Sequence, residues 1–293
     1  MKIGLIDVDG HNFPNLALMK ISALHKCAGN DVEMWNGLKQ YDVVYKAKVF
    51  DDSFTEDEQH CIMADQIISG GTGYGLDNKL PDEVEHQYPD YGLYNTKKAY
   101  GFLTRGCPRN CKVCIVSQKE GRKSEKVADL KEFWTDQKEI VLMDSNITAS
   151  KDCNKLFSQL IESKAKINFE GGLDIRLMDD KKVDQLNQMR IEIIHFAWDN
   201  YEFKTYEKLK YFRPMFRYRS RDLSVYVLTN HNTTHEQDLE RIYKLKELGY
   251  APYVTIFDKP NAPRETRLVQ RWVNNRPIFQ SCERFEDYDP RRG

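Results

Sequence analysis

The sequence predicts an α/β protein in two parts. A small parallel unit covers residues 1–75. A partial (β/α)6 barrel covers residues 99–260, after a linker at 76–98 and before an extension at 261–293. Three observations carry this. Short apolar runs alternate with helix-length stretches along the chain, the order that builds parallel sheets. Hydrophobic residues make up 40% of the 293 and charged residues 30%, which supplies a core and is at odds with disorder. The stretch 76–98, with Pro81, Pro89, several acids and three tyrosines, interrupts the alternation.

Lys2 to Val8 is a short apolar run closed by Asp9-Gly10, a strand and its turn. Asn15 to Cys27 places Leu16, Met19, Ala23 and Cys27 on one helical stripe, and Gly29 stops it. Val32 to Trp35 and Tyr41 to Val49 read as strands. Ser53 and Thr55 precede Glu56, Asp57 and Glu58, the acidic first turn of an expected helix. Gln66 to Ser69 is a further strand, ending in Gly70-Gly71-Thr72-Gly73-Tyr74-Gly75. Beyond the linker, strands are expected at Ala99–Thr104, Glu139–Met143, Lys166–Glu170, Ile191–Trp198, Leu223–Thr229 and Tyr253–Phe257. Helical stretches lie between them, clearest at Asp238–Leu248, with a Thr233-x-x-Glu236 capping box and Gly249 as its stop. Six such units point to a TIM-like barrel or part of one, with chemistry on the loops after its strands.

Lys and Arg number 44 against 45 Asp and Glu, so no global field draws the chain to nucleic acid or a membrane surface. No apolar run approaches the roughly 20 residues that span a bilayer. The first residues turn acidic without the long apolar stretch of a signal peptide, so a cytoplasmic location without membrane attachment is expected. The seven cysteines are an odd number, which argues against a disulfide framework.

Three of those cysteines fall within Arg105-Gly106-Cys107-Pro108-Arg109-Asn110-Cys111-Lys112-Val113-Cys114, just past a predicted strand. Three thiolates in a Cys-x3-Cys-x2-Cys spacing can converge on one metal centre. Iron–sulfur clusters are held by thiolates, usually four, and three on a four-iron cubane leave one iron open. The alternative is a non-catalytic binding module stabilised by zinc, with Cys153 or Cys282 as fourth ligand. Structural zinc sites, however, favour paired cysteines, and neither of these is paired.

The stretch Gly101 to Cys114 resembles the signature loop of the radical SAM superfamily, in spacing, in its place after a first barrel strand, and in the strand–helix units that follow. The resemblance covers roughly residues 99–260. It implies a 4Fe–4S cluster on Cys107, Cys111 and Cys114, with S-adenosylmethionine on the open iron. It also implies an electron donor such as a flavodoxin or ferredoxin, and a 5′-deoxyadenosyl radical acting on a substrate that the sequence does not name. Val113 stands where the family usually has an aromatic residue near the adenine, and offers an apolar wall there.

The family's second signature is a glycine-rich loop after the second strand. Here that strand ends in Asp144-Ser145-Asn146. Asp144 and Asn146 either receive an ammonium group through their oxygens or cap the next helix. After the third strand comes Glu170-Gly171-Gly172-Leu173-Asp174-Ile175-Arg176, where Asp174 and Arg176 either meet ribose and carboxylate or pair with each other. Trp198-Asp199-Asn200 and Thr229-Asn230-His231-Asn232 follow the fourth and fifth strands, with Asp199 a ribose contact and Asn230 a further polar group at the same mouth.

The first 75 residues resemble the Rossmann-like cobalamin-binding domain that precedes many barrels of this superfamily. Asp9-Gly10-His11 matches part of a cobalt-ligating motif, and Gly70-Gly71 stands where a glycine pair contacts the corrin tail. Pro14 replaces an expected glycine, and the domain is short. The expectation is a degenerate relative without cobalamin, and a cobalamin-dependent methyltransferase is the alternative. Residues 201–221 hold seven Lys or Arg and seven aromatic residues. This composition can grip single-stranded nucleic acid, but is read first as an amphipathic outer helix. Arg264, Arg267, Arg271 and Arg276 follow the last strand and are read first as a charged helix face, with contact to a phosphate or carboxylate of a substrate as the alternative. Cys27 and Cys61 fall in predicted helices, and with Cys153 and Cys282 are expected to be buried thiols.

Overall fold

A computed structural model describes residues 1–10, 13–57 and 61–292. The chain divides into two compact units, 1–145 and 146–293. Both are α/β with parallel sheets, and no closed barrel forms among the described residues. No described helix is long and apolar enough to cross a membrane.

In the first unit, β1 (Lys2–Asp7), β2 (Asp31–Met34), β3 (Tyr41–Ala47) and β4 (Ala64–Gly70) form a parallel sheet in the order β2-β1-β3-β4. The helix Leu16–Cys27 joins β1 to β2. The Asn15 side chain caps its start by accepting from the Leu18 amide at 3.2 Å. Ile3, Leu5, Leu18, Ile21 and Val43 close the core, which also takes in Leu80, Val84 and Leu93 from the 76–98 stretch. β4 is an edge strand, with Ile67 and Ile68 exposed.

The helix expected after Thr55 does not appear among the described residues, of which 55–57 and 61–63 are not helical. Residues 52–54 form a turn whose Asp51 carboxylate accepts from the Ser53 amide at 2.9 Å. Asp57 is drawn instead to Lys46 at 2.8 Å and the Tyr74 hydroxyl at 2.6 Å; Glu58 lies outside the described residues. Cys61 is therefore exposed and outside any helix, and Cys27, at the last position of its helix, is exposed too. Of the four cysteines expected inside, Cys153 is buried and Cys282 half-buried.

β5 (Ala99–Gly101), β6 (Thr104–Arg105), β7 (Glu125–Lys126) and β8 (Glu139–Leu142) complete the first unit. β5 pairs parallel with β8, while β6 pairs antiparallel with β7. The single strand expected at 99–104 thus breaks after Gly101, because the Leu103 and Thr104 amides bond to a side chain, Asp144, and not to β8.

In the second unit, β9 (Lys166–Phe169) pairs parallel with β10 (Arg190–Ile191). A separate parallel sheet runs β11 (Ile194–Ala197), β12 (Leu223–Thr229), β13 (Ala251–Ile256). The strand expected at 191–198 is therefore two, with different partners on either side of Glu192-Ile193. Between β12 and β13 the helix His235–Leu248 ends at Gly249, where φ is +80°. Its capping box is Thr234 with Gln237, one residue later than expected. Thr233 is taken elsewhere, its hydroxyl donating to Asp238 at 2.5 Å. The helix Phe203–Phe212 buries Thr205, Leu209 and Phe212 and keeps Lys204 and Lys210 exposed, with Lys208 half-buried over the Phe212 ring, the amphipathic reading of the 201–221 stretch.

Candidate functional site

The three clustered cysteines follow β6 directly. Gly106 has φ +89°, and a Cβ there would lie 2.0 Å from the Lys123 carbonyl oxygen, so only glycine fits between β6 and Cys107. The Cys107 amide donates to the Gly121 carbonyl at 3.1 Å. Glu120 fastens the same point from the other side. Its carboxylate accepts from the Gly106 amide at 3.0 Å, from Arg105 Nη1 at 3.1 Å and from the Ser145 hydroxyl at 2.9 Å. Arg105 also reaches Glu85 at 3.2 Å and lies 3.9 Å over the Phe102 ring. Sequence reasoning missed Glu120; its only signal is a lone acid between a short helix and Gly121.

Cys111 and Cys114 sit on one turn, closed by a 3.1 Å bond from the Cys114 amide to the Cys111 carbonyl. Both are exposed, and Cys107 is half-buried. Val113 is 46% exposed, so the apolar side chain expected near an adenine faces solvent. A soft, all-sulfur donor set on one short loop suits an iron–sulfur cluster, and accessible thiols can be reached by one. The side chains are not gathered as they stand: among the described residues no three His, Cys, Asp or Glu groups come together as a metal site. The proposed fourth zinc ligands have other places. Cys153 is on the buried face of the helix Cys153–Ser163 with Leu156, Phe157 and Leu160, and the Cys282 thiol lies 3.0 Å from the Arg284 carbonyl.

Asp144 sits just past β8 and is 3% exposed. One oxygen accepts from the Thr104 amide at 2.5 Å and its hydroxyl at 2.7 Å, the other from the Leu103 amide at 3.1 Å. Its carboxylate thus pins the chain two residues before Gly106. Burial pushes its pKa from the ordinary 3.8 up to about 6, against those three donors, which favour the ionised form. Between these values the folded chain holds the proton that the unfolded chain has released. The stabilising contribution is complete below about 3.8 and disappears as pH rises through about 6. Asp144→Asn removes this dependence, so urea midpoints of wild type and variant should diverge in slope between pH 4 and 7. The wild-type loss should be on the order of 3 kcal/mol, and parallel profiles would contradict the assignment.

In the second unit several expected site residues meet. Asn146 Oδ1 accepts from the Thr148 hydroxyl at 2.8 Å, and that hydroxyl accepts from the Asp174 amide at 3.2 Å. Asp174 and Arg176 take the internal alternative, a two-point ion pair at 2.8 and 3.2 Å. Asp199 follows β11. Burial raises its carboxyl pKa, while Arg241, Arg176 and His231 nearby pull it the other way. Asn230 adopts φ +60° and donates from Nδ2 to the Phe257 carbonyl at 2.8 Å, tying the ends of β12 and β13. Asn232 bonds Asn200 at 2.7 Å. These groups line the carboxyl ends of parallel strands, but mostly answer one another.

Two residues there went unread. Arg241 is wholly buried and bonds Asp238, Thr233 and the carbonyls of Trp198 and Leu228. Its signal was spacing: Asp238, Arg241 and Leu245 share the inner stripe of their helix. His195 stacks on Tyr226 with ring centroids 5.2 Å apart, and its buried Nδ1 has no hydrogen-bond partner. Burial lowers its pKa, with Glu170 opposing.

Of the cobalamin motif, His11 lies outside the described residues. Asp9 accepts from the Val49 amide at 2.5 Å and the Phe50 amide at 3.3 Å, bracing the loop after β3. A Cβ at Gly71 would lie 2.2 Å from the Lys48 carbonyl oxygen, and one at Gly73 2.2 Å from that of Phe50. The close approach of two chain segments thus accounts for Gly71 and Gly73, but not for Gly70, the other member of the expected glycine pair, where a Cβ would meet nothing within 4 Å. Comparison with protein-family models and with curated proteins finds no match for this chain.

Proposed function

We propose that the chain is a radical S-adenosylmethionine enzyme, carrying a 4Fe–4S cluster on Cys107, Cys111 and Cys114. One observation carries the reading: a Cys-x3-Cys-x2-Cys loop follows a strand directly and is anchored at its first cysteine by Gly106, Glu120 and Gly121. The finer reading of the fold, a partial (β/α)6 barrel, goes with it and rests on the succession of parallel strands and helices. When bound, such a cluster with S-adenosylmethionine supplies one-electron cleavage of the sulfonium, giving methionine and a 5′-deoxyadenosyl radical that abstracts hydrogen.

The chain's own residues hold and orient. Glu120 and Asp144 fix the backbone entering the loop, so Cys107 has a set position, toward which the turn bearing Cys111 and Cys114 would have to close to hold a cluster. Val113, exposed on that turn, would be the apolar side chain available to the adenine. By the resemblance, Asn146, Asp174, Arg176, Asp199 and Asn230 would be the polar side chains for the amino, carboxylate and ribose groups, although Asp174 and Arg176 hold each other as they stand; Asp144 acts only through the segment it pins. Reduced flavodoxin or ferredoxin is the assigned electron source.

Anaerobic reconstitution with iron and sulfide tests this. About four irons per chain are expected, with a brown colour and 5′-deoxyadenosine released from S-adenosylmethionine under dithionite. The triple variant Cys107→Ala/Cys111→Ala/Cys114→Ala should lose all three. About one zinc per chain without labile sulfide would instead establish the zinc-stabilised module. A corrinoid co-eluting after incubation with hydroxocobalamin would establish the cobalamin-dependent methyltransferase.

A further inference from the structure

Two basic stretches that the proposed chemistry does not use meet in the second unit. At the amino ends of its parallel strands lies a cleft of ≈ 500 Å³. Lys166 opens β9, Arg190 opens β10, Arg219 and Arg221 stand just before β12, and Arg276 opens the helix Arg276–Ser281. These five cations share the lining of the cleft with two carboxylates, Glu192 and Asp222. Both carboxylates are engaged: Glu192 with Lys166 at 2.5 Å, Asp222 with Arg219 at 2.9 Å and Arg221 at 3.3 Å. Arg190 and Arg276 have no carboxylate partner among the described residues; Arg190 reaches only the Lys164 carbonyl, at 3.4 Å. Two guanidinium groups thus stand uncompensated in a concavity that already holds three other cations, where like charges repel.

We propose that this cleft binds a phosphate-bearing small molecule of nucleotide size, its phosphate oxygens on Arg190 and Arg276. A guanidinium offers the paired donors that phosphate accepts, at a charge that a phosphate ester or pyrophosphate balances. The volume falls within the range of small-molecule sites. The walls favour a small ligand over single-stranded nucleic acid. Their apolar part is Ile191 and Ile193, with no aromatic ring for a base to stack on. No aromatic residue of the 201–221 stretch lines the cleft: Tyr206 stacks on Trp198, Phe212 is in the core, and Tyr201, Phe203 and Tyr211 are exposed outside it. The site lies at the ends of the strands opposite to Asp174, Asp199 and Asn230, and does not depend on the cysteine loop.

Calorimetric titration of the full chain with inorganic pyrophosphate, with ADP and with a short single-stranded RNA tests the proposal. Saturable binding of pyrophosphate or ADP is expected, weakening as salt rises. Arg190→Gln/Arg276→Gln should bind about ten- to hundredfold more weakly. Glu192→Gln, which removes an opposing charge, should bind more tightly, and Arg264→Gln, outside the cleft, should be unchanged. Arg190 and Arg276 are exposed, and an unaltered melting temperature confirms that the double variant folds. No saturable binding of either probe, or equal binding by the double variant, would overturn the proposal. RNA binding that exceeds pyrophosphate binding and grows with strand length would overturn it too.

Discussion

Arg241→Ala should cost the second unit about 3–5 kcal/mol, the penalty for removing one member of a buried ion pair. Arg241 lies in the helix between β12 and β13, with none of its side chain exposed. It reaches Asp238 one turn earlier at 2.5 Å, the Leu228 carbonyl at 2.8 Å and the Trp198 carbonyl. It thus gathers the carboxyl ends of β11 and β12 onto one helix. Alanine would strand the Asp238 carboxylate, 6% exposed, with the Thr233 hydroxyl as its one side-chain donor among the described residues, and leave two strand-end carbonyls without their guanidinium partner. Asp199 would feel it as well, since Arg241 lies nearby and favours its ionised form against burial. Lysine is no substitute, because one ammonium cannot span three directions as a planar fork does. The double replacement Asp238→Leu/Arg241→Met should recover most of the loss by removing both charges together. Urea denaturation of the two variants decides: a loss under about 1 kcal/mol for Arg241→Ala would mean that the network holds little.

What could be read from the sequence, and what could not, divides by range. β1, the helix Leu16–Cys27, β3, β12 and the helix His235–Leu248 were legible because burial imposes their period locally and Asn15 and Gly249 punctuate them. The failures each involve a competing side-chain partner, from five to some forty residues away. Thr233 offered a capping box, but Asp238 and Arg241 claimed its hydroxyl, and Thr234 took the cap. Asp57 promised a helix start and was taken by Lys46 and Tyr74. The strand at 99–104 broke because a carboxylate some forty residues away captured its amides. The site shows the same division. The spacing of Cys107, Cys111 and Cys114 placed them on one loop. Glu120, which anchors that loop, carries no pattern, and whether Asp174 and Arg176 would pair with each other or await a ligand depended on side-chain reach. Exposure was illegible for Cys27, since a helix's last residue can face either way.

Gly106→Ala should cut cluster loading at least about tenfold without touching a cysteine. The residue is at φ +89°, a region that costs a side chain roughly 1–2 kcal/mol by itself. Gly121, its neighbour across the loop, is at +94°, but a Cβ there meets nothing within 4 Å. Gly121→Ala therefore measures backbone strain alone. At Gly106 the added carbon would lie 2.0 Å from the Lys123 carbonyl oxygen and 3.1 Å from those of Glu120 and Gly121, and backbone atoms cannot swing aside as a side-chain tip can. Relief requires the chain to move away from residues 120–123. That motion breaks the Gly106–Glu120 and Cys107–Gly121 hydrogen bonds together, and with them the fixed position of the first thiol. The Gly106→Ala chain should stay folded, because the cores around Leu5 and Ile242 lie elsewhere, yet retain less than about a tenth of the wild-type iron after anaerobic reconstitution, a difference of at least 1.4 kcal/mol in loading. Gly121→Ala should load nearly as wild type. Equal iron in the two variants would show that Cys107 needs no fixed starting point, and that the loop gathers its sulfurs from whatever conformation it has.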